Sequence, residues 1–366
     1  MEGGQRDGIV KTGLLAWQCF AWTGFQQVID RFDPEHHGFP VPRHALQLLL
    51  LLTVPLLADP HPLIRKGQDH FRFVYEIQLP AIHDLGRIWI PLASSDRFQE
   101  VMIESQPTGK EFLTRVEKKH GNTYLTAELG RDHSNQILEV SYKVGRKEKG
   151  IYREERTMRV VRHLVADRLI PRSPRLKELA RQAVGNRTHP MEKARALYDH
   201  TLERMSYDKS GTGWGQGDAL FACDSRKGNC TDFHSYFIGL CRSLGIPARF
   251  AIGFTIPADS EKGEVSGYHC WAEFHAGETW VPVDISEADK HPELTDYYFG
   301  HHPANRFEIS NGRDLPLEPV PSVGAVNFLI HPLLELGPID IQGCTRGGSG
   351  VEMPNGKALR ADRGAV

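Results

Sequence analysis

Cys230 is the residue best placed to act as a nucleophile, because it stands where an amphipathic helix is predicted to begin. Apolar residues recur at helical spacing after it, and Gly245 followed by Pro247 ends the pattern. A thiol at a helix N-terminus lies at the positive end of the helix dipole, which favours the thiolate. We therefore predict a reactive thiol in the stretch GNCTDFHSYFIGLCRSLGIPARF.

A thiol nucleophile needs a general base, and the stretch GYHCWAEFHAGETWVPVDISEA offers one. If it forms an antiparallel hairpin that turns at Ala276–Gly277, His269 lies directly opposite Asp284, with Cβ atoms about 5 Å apart. A shift of one residue would separate the pair and mix the polar and apolar faces. The sequence thus predicts His269 as the base and Asp284 as the carboxylate that orients it. On the apolar face, this register places Cys270, Ala272, Phe274, Val281 and Val283.

The other cysteines favour neither a zinc site nor a second nucleophile. The chain has six cysteines: Cys19, Cys223, Cys230, Cys241, Cys270 and Cys344. Their irregular spacing lacks the paired CxxC motifs of zinc ribbons, and we interpret Cys241 and Cys270 as core residues. A Cys223–Cys230 disulfide remains an alternative to the nucleophile. His234 would share a helix face with Cys230, but no second ligand pair has metal spacing. We therefore expect no metal and no cofactor.

Three motifs resemble the core of the bacterial transglutaminase-like superfamily, which has a papain-like fold. They are GNCTDFHSYFIGLCRSLGIPARF, GYHCWAEF and WVPVD, and they span about residues 170–300. In that family the motif cysteine is the nucleophile, the histidine its base and the aspartate the orienting residue. These roles fall on Cys230, His269 and Asp284 in the same chain order. The resemblance implies an α+β core of helices packed on an antiparallel sheet, without the calcium loop of the animal enzymes.

Further residues are candidates for binding the substrate or the oxyanion. The backbone N–H of Cys230 is the first candidate donor to an oxyanion. Trp214 or Gln216, in the loop GTGWGQGDA, would supply a second donor. Trp271 is a candidate for lining the cleft. For these three side chains, packing or solvent exposure without a functional role is the alternative. Asp232 is interpreted as a first-turn residue that accepts from backbone N–H groups.

The rest of the chain divides by composition and periodicity. The run HFRFVYEIQLP alternates apolar and polar residues as a half-buried strand does, and shorter strand-like runs follow it. They favour a small β-sandwich domain that precedes the core. We predict four segments: an N-terminal extension with a hydrophobic segment at 1–58, the β-sandwich domain at 59–165, the transglutaminase-like catalytic domain at 166–336, and a disordered tail at 337–366.

The segment VPRHALQLLLLLTVPLLADPHP has the layout of a secretory signal. A basic patch precedes an apolar run too short to span a bilayer, and Ala58 marks a cleavage point. Forty residues precede Val41, so we expect translation to start near Val41 instead. We predict export to the periplasm or cell envelope, with no stable membrane span in the mature chain. The alternative is a buried core helix in a cytoplasmic protein.

The predicted function is acyl transfer at an amide bond through Cys230, His269 and Asp284, with an acyl-thioester intermediate. Hydrolysis by a cysteine protease or amidase is favoured over transglutaminase-type transfer to an amine. A non-catalytic envelope module that binds peptide or glycan is the third alternative. Expected partners are a peptide, a protein or a peptidoglycan-like amide. The net charge of −2 gives no reason to expect nucleic acid.

Overall fold

The computed structural model describes residues 62–154, 160–337, 350–352 and 358–364. The predicted N-terminal extension, the secretory signal and its cleavage at Ala58 lie outside these residues. The described residues belong to a single compact unit, residues 60–366. Within the described ranges, no helix is long and apolar enough to cross a bilayer.

Strands dominate the secondary structure, and the helices cluster in the middle of the chain. The described strands are β1 Gln68–Gln78, β2 Gly86–Leu92, β3 Gln99–Ser105, β4 Leu113–Val116, β5 Thr123–Leu129, β6 Ile137–Lys147, β7 Tyr152–Arg153, β8 Ser206–Tyr207, β9 Lys227–Gly228, β10 Ala248–Thr255, β11 Lys262–Glu264, β12 Tyr268–Ala276, β13 Thr279–Val283, β14 Arg306–Asn311, β15 Leu333–Leu336, β16 Gly350–Glu352 and β17 Ala358–Asp362. The described α-helices are α1 Pro174–Val184, α2 Pro190–Arg204, α3 Ala219–Ser225, α4 Cys230–Ser243 and α5 Ile285–Lys290. Short 3₁₀ helices occupy Arg131–His133, Val161–Leu164 and Pro292–Leu294.

The strands form three antiparallel sheets of five strands each. The first sheet has the order β11-β17-β1-β6-β3, the second β16-β15-β2-β5-β4 and the third β14-β10-β12-β13-β7. Strands β8 and β9 form a separate parallel pair. Strand β12 of the third sheet carries His269.

Strand β1 joins the first sheet to the third through its aromatic side chains. Phe71, Phe73 and Tyr75 alternate along the strand as predicted, and each is at most 3% exposed. The ring of Phe73 stacks on Phe254 with centroids 5.1 Å apart and meets Phe307 edge-on at 5.0 Å. Phe254 belongs to β10 and Phe307 to β14, so the β-rich N-terminal region packs directly on the sheet that carries His269.

Strands from distant parts of the chain complete the first two sheets. Strands β11, β15, β16 and β17 all lie outside the 59–165 range predicted for the β-sandwich. Strands β16 and β17 lie within residues 337–366, for which the sequence predicts a disordered tail. Strand β17 pairs with β1 from Arg72↔Asp362 to Glu76↔Ala358 and so covers an edge of β1. A short strand that pairs with a remote edge is too brief to show a period in the sequence.

Helix α4 lies at the centre of the core. All of its residues from Cys230 to Cys241 are buried, because the other four α-helices of the described residues and strand β12 contact it. Phe237 of the helix meets Phe274 of β12, with ring centroids 6.0 Å apart. The packing of helices on an antiparallel sheet, preceded by a β-rich region, confirms the predicted α+β fold class.

Strands β10 and β14 approach each other closely at Gly253. A Cβ atom at this position would lie 1.8 Å from the carbonyl oxygen of Phe307. The pairing register shifts between Ile252 and Gly253, which marks a local irregularity. Since the obstacle is backbone rather than a flexible side chain, a larger residue must displace β14.

We predict that Gly253→Ala lowers the free energy of unfolding by about 1–3 kcal/mol, because the added methyl group overpacks the contact between the strands. Urea unfolding followed by tryptophan fluorescence measures the change. Gly263→Ala is the matched control, since its Cβ would meet only the Ser260 side chain, at 3.7 Å. Equal unfolding free energies for the two variants would contradict the close approach at Gly253.

Candidate active site

Cys230 is the first residue of α4, as the sequence predicts. The side chain of Asn229 caps the helix and accepts the N–H of Thr231 at 2.9 Å. The carboxylate of Asp232 accepts the N–H of Asn229 at 3.0 Å, which completes a capping box. These two bonds fix the direction in which the chain enters the helix. The Cys230 side chain therefore sits at the positive end of the helix dipole.

The backbone N–H of Cys230, unlike those of its neighbours, has no hydrogen-bond acceptor among the described residues. The N–H groups of Asn229, Thr231 and Asp232 all have acceptors within the capping box. For the Cys230 N–H, no acceptor occurs among the described residues. A backbone donor beside the sulfur is suited to an oxyanion that forms on attack by that sulfur.

The hairpin that carries His269 has a different register from the predicted one. Its turn residues are Gly277 and Glu278, and Ala276 pairs with Thr279. Each residue of β12 therefore faces a residue two positions further along than expected. Because the shift is even, each side chain keeps its predicted face. The predicted direct cross-strand pair of His269 with Asp284 is wrong, since β13 ends at Val283.

Asp284 still reaches His269, because it lies just beyond β13 as the N-cap of α5. Its Oδ2 lies 2.7 Å from Nε2 of His269 and accepts from Arg306 Nη2 at 2.9 Å. Its Oδ1 accepts the N–H of Glu287 at 3.1 Å. The carboxylate is fully buried and held at both oxygens, so its orientation is fixed.

The pKa values of His269 and Asp284 follow from this contact. Burial alone would lower the pKa of His269, but the charge of Asp284 raises it to about 9. Burial alone would raise the pKa of Asp284, but the charge and hydrogen bond of His269, and the charge of Arg306, hold it well below its usual value. Asp284 is therefore ionised and His269 protonated at neutral pH.

The pKa of the Cys230 thiol is lowered, whereas that of His269 is raised. The neighbouring thiol of Cys270 lowers the pKa of Cys230 most. The nearby imidazole of His269 and its charge lower the pKa further, and together they outweigh burial. Because Nε2 of His269 is bound to Asp284, Nδ1 is the ring nitrogen left for the sulfur. These shifts favour a thiolate–imidazolium pair at neutral pH.

Cys270 is the neighbour that the sequence reasoning interpreted only as a core residue. Its Sγ lies 3.7 Å from Oγ1 of Thr231, in the first turn of α4. Burial and the neighbouring Cys230 raise the pKa of Cys270 well above its usual value, so Cys270 keeps its proton and donates it to Oγ1 of Thr231. Strand periodicity identifies the inward face of β12. It does not reveal that this face meets the start of α4.

The glycine-rich loop is tied to α4 by buried side chains. Asp232 accepts the N–H of Gly215 at 2.7 Å and of Gly217 at 3.0 Å, in addition to its capping role. Arg313 donates to the carbonyl of Gln216 at 2.9 Å and to Oγ of Ser235, on α4, at 2.7 Å. The loop is therefore held beside the N-terminus of the helix.

The three residues predicted to bind the oxyanion or line the cleft, Trp214, Gln216 and Trp271, have different surroundings in the structure. The indole N–H of Trp214 donates to the carbonyl of Gly211, within the loop, at 3.2 Å. Gln216 is exposed. Trp271 is fully buried, with its ring 6.1 Å from that of His269 and 5.7 Å from that of His302. Trp271 therefore packs behind His269 and lines no open cleft. The oxyanion roles of Trp214 and Gln216 stay predictions.

The disulfide alternative is wrong. Cys223 and Cys230 are both free thiols, and both are buried, as are Cys241 and Cys270. Among the described residues, no group of three His, Cys, Asp or Glu side chains is arranged to hold a metal ion.

Arg306 and Arg313 are site residues that the sequence reasoning missed. Arg306 lies 22 residues beyond Asp284, and Arg313 lies 78 residues beyond Ser235. Neither belongs to a motif with Cys230 or His269. Only the pairing of β14 with β10 brings Arg306 toward the carboxylate, so no local pattern could have revealed it.

Comparisons with known proteins agree with this fold. The family model of the transglutaminase-like superfamily matches residues 177–285. An uncharacterized protein of Haemophilus influenzae is 27% identical over 314 residues, which cover 73% of this chain and 85% of the relative. A candidate cysteine protease from Cytophaga hutchinsonii, known from its crystal structure, has a TM-score of 0.50 and 17% identity; the match covers 80% of this chain and 96% of that one.

A further structural neighbour is the periplasmic domain of TgpA from Pseudomonas aeruginosa. Its TM-score is 0.34 at 17% identity, and the match covers 64% of this chain and 91% of that domain. The matched residues 177–285 include Cys230, His269 and Asp284, and the core around them has helices packed on an antiparallel sheet. Residues 177–285 of this chain thus match the family model of the transglutaminase-like superfamily.

Proposed function

We propose that the protein is an enzyme that transfers an acyl group from an amide to the Cys230 thiol and then to water. One observation carries this proposal: buried His269 is bonded to Asp284 at 2.7 Å, and the pKa values of Cys230 and His269 are shifted in opposite directions that favour a thiolate–imidazolium pair. Buried charges are costly to desolvate, and strongly perturbed pKa values cluster at functional sites.

The proposed reaction begins with attack of the Cys230 thiolate on the amide carbonyl carbon. The C=O electrons move to oxygen, and the N–H of Cys230 stabilises the resulting oxyanion. When the tetrahedral intermediate collapses, the C–N bond breaks and the His269 imidazolium gives its proton to the departing amine. The product is an acyl-thioester on Cys230 and a neutral His269. Asp284 keeps the ring oriented throughout.

Water completes the proposed cycle. Neutral His269 takes a proton from water, which attacks the thioester carbonyl, and the Cys230 thiolate leaves as the carboxylic acid is released. Hydrolysis is favoured over transfer to an amine, because Cys230 is 2% and His269 6% exposed. Once the acyl group of the substrate occupies this approach, water reaches the thioester more easily than a second protein side chain does. Peptide, protein and peptidoglycan-like amides are the proposed substrates.

We predict that iodoacetamide at neutral pH labels Cys230 preferentially, and that Cys230→Ala abolishes this labelling. The substitution should also lower amide hydrolysis by roughly 10³-fold or more. Cys241→Ala is the matched control, because Cys241 lies on the same helix and burial raises its pKa. Peptide mapping by mass spectrometry locates the label.

Labelling that persists at full strength in Cys230→Ala would overturn the assignment of the nucleophile. A wild-type Cys230 that resists alkylation would favour the non-catalytic binding module. To identify the substrate, peptides, proteins and cell-wall fragments can be digested with wild-type enzyme and with Cys230→Ala. Products that carry an added amine would favour transfer over hydrolysis.

We predict that Asp284→Asn moves the alkaline limb of the pH profile of kcat/KM below its wild-type position near pH 9. The reason is that the Asp284 charge raises the pKa of His269, so its removal lets that pKa fall. The imidazolium that protonates the leaving amine is then lost at lower pH, and the rate should fall by roughly 10²–10⁴-fold.

Asp167→Asn is the control for Asp284→Asn. Asp167 is also a buried carboxylate, but it pairs with Arg242 at 2.7 Å and has no contact with His269 among the described residues. Its loss should leave the alkaline limb in place. An unchanged limb in Asp284→Asn would contradict the proposed role of Asp284.

We also propose that the protein is exported, on the basis of the signal-like segment that ends near Ala58. The expected mature protein begins close to residue 59, because cleavage follows a small residue. N-terminal sequencing of protein recovered from fractionated cells tests this prediction. A mature chain that begins at Met1 and remains in the cytoplasmic fraction would overturn it.

A further inference from the structure

His234 lies between the main chain of Cys230 and the main chain that follows Asp284. It is one turn beyond Cys230 on α4, and it is fully buried. Its Nδ1 lies 2.7 Å from the carbonyl oxygen of Cys230. Its Nε2 accepts the backbone N–H of Ile285 at 3.1 Å. Ile285 is the first residue of α5 and directly follows Asp284, so one imidazole ring joins the nucleophile's main chain to that of the orienting carboxylate.

The two backbone partners fix the protonation state of this ring. A backbone N–H can only donate, so Nε2 of His234 must be unprotonated where it meets Ile285. A carbonyl can only accept, so Nδ1 must carry the proton that reaches Cys230. His234 is therefore a neutral imidazole with its hydrogen on Nδ1. Burial agrees with this state, because it lowers the pKa of His234.

Asp284 and Cys270 also lie near the His234 ring, but both are further from its nitrogens than the two backbone partners are. Oδ1 of Asp284 lies 3.7 Å from Nε2, and Sγ of Cys270 lies 3.8 Å from Nδ1. Asp284 already accepts hydrogen bonds at both oxygens, from His269, Arg306, Ser286 and Glu287. A protonated Nε2 would lose the Ile285 bond and face a carboxylate that is already occupied.

We infer that His234 is a positioning residue, which holds Cys230 and Asp284 at a fixed separation. This inference rests on the proposed function. The Nδ1–H bond fixes the peptide plane that follows Cys230, and with it the sulfur and the adjacent N–H. The Nε2 bond fixes the start of α5, a helix of six residues that is too short to be stable alone. His234 itself exchanges no proton with substrate.

The two bonds can be removed separately. Asparagine in place of His234 keeps a donor near the position of Nδ1 but has no acceptor for Ile285. Glutamine extends far enough to place an acceptor near Nε2 but leaves the Cys230 carbonyl without its extra donor. Phenylalanine keeps the ring and loses both bonds. His200→Phe is the matched control, because Nε2 of His200 contacts the hydroxyl of Tyr236 on the same helix at 3.0 Å.

We predict that His234→Phe lowers kcat by about 10–100-fold per titratable Cys230 thiol, with KM little changed, because the reacting groups are displaced while the substrate surface is retained. His234→Asn and His234→Gln should each recover part of this loss. His200→Phe should retain the wild-type kcat per thiol. Iodoacetamide titration of Cys230 counts the molecules with a reactive thiol. A lower kcat per thiol then reports displaced reacting groups rather than a smaller fraction of folded protein.

A second measurement tests the ring in the wild-type protein. Imidazole ¹⁵N chemical shifts, assigned by comparison with His234→Asn, should report a neutral ring with the proton on Nδ1 at neutral pH. A charged ring, a proton on Nε2, or wild-type kcat per thiol in His234→Phe would overturn the inference. If wild-type Cys230 proves unreactive, the proposed function fails, whereas the ¹⁵N shifts still decide the state of His234.

Discussion

The structure around the site depends on one constraint: the charges of Cys230, His269 and Asp284 are buried together and must be compensated. Charges taken out of water cost several kcal/mol each unless they are paired and hydrogen-bonded. Here the thiolate, the imidazolium, the carboxylate and the Arg306 guanidinium alternate in sign and sum to zero. The dipole of α4 and the neighbouring thiol of Cys270 stabilise the thiolate end. Arg306 and the first turn of α5 stabilise the carboxylate end.

The order of strands in the third sheet explains how Arg306 comes to the site. Strand β10 lies between β14 and β12, and Gly253 of β10 pairs with His269 on one side and with β14 on the other. The absence of a side chain at Gly253 allows β14 to approach closely. Phe73 of the first sheet packs on Phe307, next to Arg306, from the other direction. The β-rich N-terminal region therefore supports the site mechanically, whatever its role in substrate binding.

The sequence predicts the parts of this site that depend on how apolar residues repeat within one helix or strand. The helix start at Cys230 follows from the spacing of the apolar residues after it, and the faces of the hairpin follow from alternation. It does not predict the register, because a shift of two residues leaves every alternation unchanged. Nor does it predict Arg306, Cys270 as a donor, or β17 as a partner of β1, since each depends on a contact between distant segments. His234 had a visible spacing to Cys230 but was considered only as a metal ligand, because its partner Ile285 lies 51 residues away.

The central claim is that Cys230 is a thiolate held by the His269 imidazolium at neutral pH. The most direct measurement is the ultraviolet absorbance of the thiolate across pH, taken as the difference between wild type and Cys230→Ala, and repeated in His269→Ala. The account predicts that the Cys230 thiolate forms well below the ordinary thiol pKa of about 8.5, and that removal of His269 moves its titration upward. Titration of Cys230 at or above the ordinary value in the wild type, or at the same pH with and without His269, would contradict it.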